Sequence, residues 1–219
     1  MSAGNASYLW SVMPDLLAGL KVSAEATGLS MAFALVAGAP LCLLRLAKHW
    51  LPRTLGLVII SVIRNTPLLA QLYVYFYILP NYGIELSPLV VGVLGLGTHF
   101  TAYIAETYRA GYESVPAGQW EAAAAVRLGR AVTLIRVVAP QAIRPTVPVL
   151  ANYLLAMFKD TSVLTAVTVT ELFGTTLALA DDSFRYTLLY STLGVLYLVV
   201  CYPAGRLVAL LERRLGTLR

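Results

Sequence analysis

The chain has 219 residues, 58% of them hydrophobic and 12% charged, with a mean hydropathy of +0.74 and a formal charge of +5. Soluble domains carry about 25% charged residues, so the composition is that of a membrane protein with no room for a separate soluble domain. Nucleic acid is excluded as a partner, because the basic residues fall in short blocks between apolar runs, the pattern that orients a chain in a membrane.

The opening stretch MSAGNASYLWSVMPD lacks a basic region followed by a short apolar run and a small-residue cleavage site, so the first span is expected to act as its own insertion signal. A helical span needs about 20 mostly apolar residues. Residues 15–45, 53–80, 87–110, 145–168 and 186–210 meet that need. In the first, Lys21 and Glu25 precede TGLSMAFALVAGAPLCLLRL, which makes the latter the membrane portion and the former an amphipathic lead-in. The second holds Arg64, Asn65, Thr66 and Gln71, with Pro67 disturbing the backbone hydrogen bonds. Tyr73, Tyr75, Tyr77 and Tyr82 follow near its outer end and read as interface anchors. The third carries His99, expected to be hydrogen-bonded rather than metal-bound, and Glu106 and Arg109, which are spaced to bridge each other.

Between the third and fourth spans lies a less apolar island, SVPAGQWEAAAAVRLGRAVTLIRVVAPQAIRP, at 114–145. Pro116 suits the first turn of a helix and AGQWEAAAAV is rich in helix formers. Gly129 can end that helix. RAVTLIRVVAP offers a second, with Arg130, Thr133 and Arg136 on one side and Val132, Ile135 and Ala139 on another, stopped by Pro140. The expected product is a helical hairpin on the membrane surface. In the fourth span, Lys159 and Asp160 are adjacent and face different directions, so each is expected to find a partner elsewhere. Thr161, Ser162, Thr165, Thr168 and Thr170 add hydroxyls that bond back to helix carbonyls or line a path. Residues 171–185 read as an outer loop. Cys42 and Cys201, both in apolar segments, read as small buried hydrophobes, not as a disulfide or metal site.

Charge sets the orientation. Arg45, Lys48 and Arg53, then Arg109, Arg127, Arg130, Arg136 and Arg144, then Arg206, Arg213, Arg214 and Arg219 fall on one side, twelve basic residues against Arg185 alone on the other. The basic side is cytoplasmic. The fold class is therefore all-α and polytopic, with five transmembrane helices, the N-terminus outside, the C-terminus inside and the hairpin in the cytoplasm. A lone cation such as Arg64 must meet a counter-charge, with Glu106 or Asp160 as candidates, or else recognise a carboxylate of the cargo.

Several segments carry a family resemblance. EAA at 121–123, followed by Pro140, is similar to the cytoplasmic loop signature of bacterial ABC-importer permeases. RNTPLLAQLYVYFYILP at 64–80, AYIAETYRAGYESVPAGQWEAA at 102–123 and FKDTSVLTAVTVTEL at 158–172 resemble the polar amino-acid uptake branch, over most of the chain from Leu20 to Arg214. The resemblance implies an inner-membrane permease that pairs with a second copy or a homologue. It also implies two ATPase subunits that carry ATP and Mg, an extracytoplasmic solute-binding protein and an amino-acid cargo. By position, Gly118, Glu121, Ala122, Ala123, Arg127 and Gly129 become ATPase-coupling residues. Arg64, Asn65, Thr66, Gln71, Glu106, Lys159, Asp160, Thr161 and Ser162 become pathway or intramembrane network residues. One departure stands out: Arg127 occupies the position where the family has glycine, so the turn either moves to Leu128 and Gly129 or bends differently.

No phosphate-binding G-x-x-x-x-G-K-[ST] loop, G-x-S-x-G elbow or H-E-x-x-H pair is present, so no catalytic residue, metal ligand or bound cofactor is assigned. Two alternatives stand beside the importer: an intramembrane enzyme using the acids and histidine within the spans, and a stand-alone secondary transporter, which five spans without an internal repeat fit poorly.

Overall fold

The computed structural model describes residues 3–215, and within them every regular element is a helix. Arg219 of the basic tail lies outside the described residues. Three helices are individually long and apolar enough to cross a membrane, α1 (Ala3–Leu46), α4 (Pro88–Glu113) and α9 (Tyr186–Arg214), and two bent helix pairs raise the number to as many as five.

At 1.5 Å per residue the 44-residue α1 is about 66 Å long, roughly twice the hydrocarbon thickness of a bilayer. The expected span of 15–45 is thus only part of a longer helix. Its first half is held by packing: Val12 and Leu16 meet Leu172, Ala180, Leu189 and Leu193 of α8 (Leu172–Ser183) and α9. Its last turns pack Leu41 and Cys42 on Ile60 of α2 (Trp50–Asn65) and on Ala102 and Ala105 of α4. Cys42 is buried and Cys201 half-buried, both free. The central core lies around α4, where Val91, Leu96, Phe100 and Ile104 meet Leu72, Met157, Leu164 and Val167.

The second span is not one helix. α2 ends at Asn65, Thr66 is extended (φ −99°, ψ 126°), and α3 (Leu68–Tyr73) leaves at 99° to it, continued by a π turn at Val74–Ile78 and a 3-10 turn at Leu79–Tyr82. The cause is Pro67, which disfavours a helical residue before it and lacks an N–H.

After α4 come α5 (Ala117–Ala125), a turn, and α6 (Arg130–Thr133), which runs through a π turn at Leu134–Val138 into α7 (Ala139–Asp160). Pro140 therefore does not stop the second hairpin helix. The wider π turn, in which the Ala139 N–H reaches Leu134 O, accommodates a residue that cannot donate. The expected faces are also exchanged: Thr133 is buried, whereas Val132 and Ile135 are exposed. The helix that contains the expected fourth span thus starts at Arg130 rather than 145, tightens to a 3-10 helix at Thr161–Val167, and bends by 51° into α8.

The expected outer loop at 171–185 is mostly helix α8, and Glu171 ahead of it is completely buried. Its carboxylate caps the helix, accepting from the Phe173 N–H at 2.9 Å and the Gly174 N–H at 2.8 Å, from Thr165 Oγ1 at 2.8 Å and from Ser23 Oγ at 3.1 Å. A buried carboxylate with a donor on each lone-pair side needs no counter-cation.

Candidate functional site

α4 presents His99, Tyr103, Glu106 and Ala110 along one face, at the i+3/i+4 spacing of a helix. Opposite stand the last turn of α2 and the first half of α7. α4 and α7 approach closely at Gly111, where an added Cβ would lie 2.8 Å from Ala142 O. Two adjoining clefts result. One, of about 380 Å³, is lined by Arg64, Tyr103, Glu106, Arg109, Pro145 and Tyr153 among others. The second, of about 330 Å³, adds Arg45, Ser61 and Asn65 and shares Arg64, Tyr103 and Glu106 with the first.

Glu106 is the electrostatic centre of both. Its Oε1 accepts from Arg45 Nε at 3.0 Å, and its Oε2 accepts from Arg109 Nε at 2.9 Å and Nη2 at 2.7 Å. Arg109 also bridges Glu113. The expected Glu106–Arg109 pair thus forms, and Arg45, not considered as its partner from the sequence, completes it. Arg64 does not pair with Glu106 or Asp160. The Arg64 guanidinium instead lies over the Tyr103 ring, 4.9 Å from its centroid. Among the described residues it forms no ion pair, so its planar fork of donors is available to a carboxylate.

The break in the second span is stitched by Gln71. Its Nε2 donates to Ile63 O at 2.9 Å and Thr66 O at 3.0 Å, two carbonyls that lose helical partners at the break, and lies 3.2 Å from His99 Nδ1. His99 thus has the Gln71 amide within hydrogen-bond range. Asn65 and Thr66 bond back to the carbonyls of Ser61 and Val62. Thr66 and Gln71 line a small pocket of about 200 Å³ with Tyr75 and Thr98.

At the end of α7 the hydroxyls bond locally. Thr161 and Ser162 bond back to Phe158 O and Lys159 O. Lys159 is exposed and Asp160 half-buried, and among the described residues neither joins an ion pair with another helix. Thr165 is the hydroxyl that reaches across, to Glu171. That residue was missed as a site because its segment has no long apolar run. The available signal was an acid directly before a helix-forming stretch, the N-cap position.

In the 114–140 region Glu121 and Ala122 are exposed, Ala123 is buried, and Gly118 faces open space. Trp120 packs on Tyr112 with ring centroids 5.2 Å apart, and Gln141 Nε2 donates to Gln119 Oε1, tying α5 to α4 and α7. The turn has not moved to Gly129, whose φ is −64°. Arg127 itself takes the left-handed conformation at φ 56°. The Arg127 N–H bonds Ala124 O and the Leu128 N–H bonds Ala123 O, both at 3.0 Å, the paired bonds of a Schellman cap that usually has glycine at its centre.

Residues 28–217 match the family model described as binding-protein-dependent transport system inner membrane component. The chain belongs to that family. This permease is 37% identical to the probable amino-acid ABC transporter permease protein y4tG of Sinorhizobium fredii, over 95% of its own length and 90% of that protein's. It is 33% identical to the L-cystine transport system permease protein TcyB of Bacillus subtilis, over 94% and 88%. Among solved structures, a chain of an amino acid ABC transporter crystallised with histidines superposes with a TM-score of 0.89 at 28% identity, covering 98% of the permease and all of that chain. The MetNI methionine transporter, at 19% identity and a TM-score of 0.77, shares the fold. The permease is a multi-pass protein of the bacterial inner membrane and a transport subunit rather than a catalyst.

Proposed function

We propose that the permease forms, with a second copy or a homologue, the path by which an amino acid enters the cell. Two ATPase subunits holding ATP and Mg drive it from the cytoplasmic side, and a solute-binding protein delivers cargo from outside. The observation that carries this reading is the exposed surface of the 114–140 hairpin. Val126 and Ile135 are each 68% exposed, Leu128 and Val132 are exposed beside them, and Glu121 stands on the neighbouring helix. An apolar patch with a charged rim, on a segment flanked by arginines, is the surface of a docking element. In this role Gly118, Glu121, Ala122, Ala123, Arg127 and Gly129 form or shape the contact with the ATPase. ATP-driven closure of the two ATPase subunits then moves α5 and, through the Trp120–Tyr112 and Gln119–Gln141 contacts, α4 and α7.

The amino-acid cargo is supported by the relatives and by Arg64, the cleft cation without an acid. Arg64 holds the cargo carboxylate as it passes, with Asn65, Thr66 and Gln71 at the adjoining break and Lys159 to Ser162 at the end of α7 as further polar lining. The inside placement of the basic side, with the N-terminus outside, rests on the charge asymmetry.

Both parts are tested in one preparation. The permease, affinity-purified from its native membrane, is expected to bring an ATPase subunit with it, and Glu121→Arg is expected to lose most of that subunit. In vesicles containing the assembled transporter, Arg64→Gln is expected to slow uptake at least tenfold while the ATPase still co-purifies. Absence of any ATPase with the wild type sinks the importer reading, and undiminished uptake by Arg64→Gln removes the carboxylate role.

A further inference from the structure

The corner between α1 and α2 has a composition that the transport reading does not use. From Glu25 to Glu85 the sequence contains no other acid, while Arg45, Lys48, His49 and Arg53 gather at this corner. Arg45 is engaged with Glu106. Lys48, His49 and Arg53 are exposed, and among the described residues Lys48 and Arg53 make no ion pair. Trp50, at the first position of α2, is 75% exposed, which in a membrane protein is the placement of an interfacial anchor.

Directly below this cationic corner an apolar groove of about 610 Å³ runs between the helices. α1 supplies Ala37, Pro40 and Leu44, Ala47 follows at the corner, α2 supplies Ile59 and Ile63, and Thr101 of α4 contributes a single hydroxyl. Along α1 the groove runs from Ala37 to Leu44, seven residues of helix and about 10 Å, and Ala47 closes its end beside Lys48. An open apolar groove on the membrane-facing side of these helices is filled by hydrocarbon, and the exposed cations next to its Ala47 end favour a chain whose headgroup is anionic.

We infer that the α1–α2 corner is a binding site for an anionic phospholipid, one acyl chain lying in the groove and the phosphate held by Lys48 and Arg53. Charge sets the headgroup: a zwitterionic lipid offers the same tails but a headgroup of no net charge, so the two cations discriminate between them. The site rests on the membrane reading of the fold and is independent of what cargo is carried.

Native mass spectrometry of the purified permease tests this after incubation with equal amounts of phosphatidylglycerol and phosphatidylcholine of identical chains. The wild type is expected to retain phosphatidylglycerol at least tenfold over phosphatidylcholine. Lys48→Gln with Arg53→Gln is expected to weaken that retention about thirtyfold, from about 1 kcal/mol for each cation near an anionic headgroup. Ala37→Leu with Ala47→Phe, which fills the groove and keeps both cations, is expected to abolish the retained lipid. Arg213→Gln with Arg214→Gln removes the same charge at the far end of α9 and is expected to behave as wild type. Equal retention of the two lipids overturns the site. So does an equal loss from the Arg213 and Arg214 pair, which would mean diffuse attraction. The Lys48 and Arg53 side chains are exposed, so their replacement leaves the packing intact and keeps the test valid even if the groove-filling pair fails to fold.

Discussion

Replacing Glu106 by glutamine isolates the central charge of the site. The carboxylate holds Arg45 and Arg109, and the Arg45 and Glu106 side chains are only 13% and 20% exposed. Arg109 keeps Glu113 when Glu106 is neutralised, but Arg45 is left largely buried beside an amide. Removing one partner of a buried pair costs about 3–5 kcal/mol because the other charge stays behind unpaired. The partial solvent contact and the surviving Arg109–Glu113 bridge place Glu106→Gln at the low end, about 3 kcal/mol. Replacing both partners by apolar residues of similar size, Arg45→Met with Glu106→Leu, removes the orphaned charge, so the double variant is expected to be more stable than the two single costs predict, by about 2 kcal/mol. Titration with a denaturing detergent, followed by tryptophan fluorescence, measures the wild type, Arg45→Met, Glu106→Leu and the double variant as the four corners of that cycle, with Glu106→Gln alongside. Additive costs, or a Glu106→Gln cost under about 1 kcal/mol, would refute the claim that this pair holds α1 to α4.

The Arg127 and Glu171 positions yield sharper local tests. Arg127→Gly relieves a left-handed non-glycine residue and is expected to stabilise the hairpin by about 1 kcal/mol, seen as slower amide exchange at Arg127 and Leu128. Arg127→Val, β-branched at the same φ, is expected to speed exchange there, and equal behaviour of the two would remove the strain argument. Glu171→Ala strands two backbone N–H groups and two hydroxyls in a fully buried position and is expected to cost about 4 kcal/mol. Glu171→Gln keeps one good acceptor and is expected to cost about half as much, a ranking that the same denaturation assay checks.

What could be read from the sequence was mainly what is local. Glu106 and Arg109 lie one helical turn apart, so their bridge follows from spacing, whereas Arg45 is 61 residues from Glu106 and only packing brings it there. Pro67 announced a disturbance in the second span. A proline in an apolar helix more often kinks than breaks it, and the 99° turn becomes tenable because Gln71 satisfies the freed carbonyls. Pro140 misled in the opposite direction, since a π turn let the helix pass through it. The first half of α1 escaped notice because its helical state depends on the distant α8 and α9, and the burial of Glu171 because a hydropathy profile registers a carboxylate without registering its donors.

The donors of Glu171 also bear on how the chain is assembled in the membrane. Thr165, Phe173 and Gly174 lie within six residues of the carboxylate, while Ser23 is 148 residues away. During synthesis, then, the acid emerges with three of its four hydrogen-bond partners on the same short stretch and can be shielded before it meets α1. Only the last bond requires the first helix to meet a segment made 148 residues later, which makes the Ser23–Glu171 contact a marker that α1 has packed on the start of α8 rather than a condition for insertion.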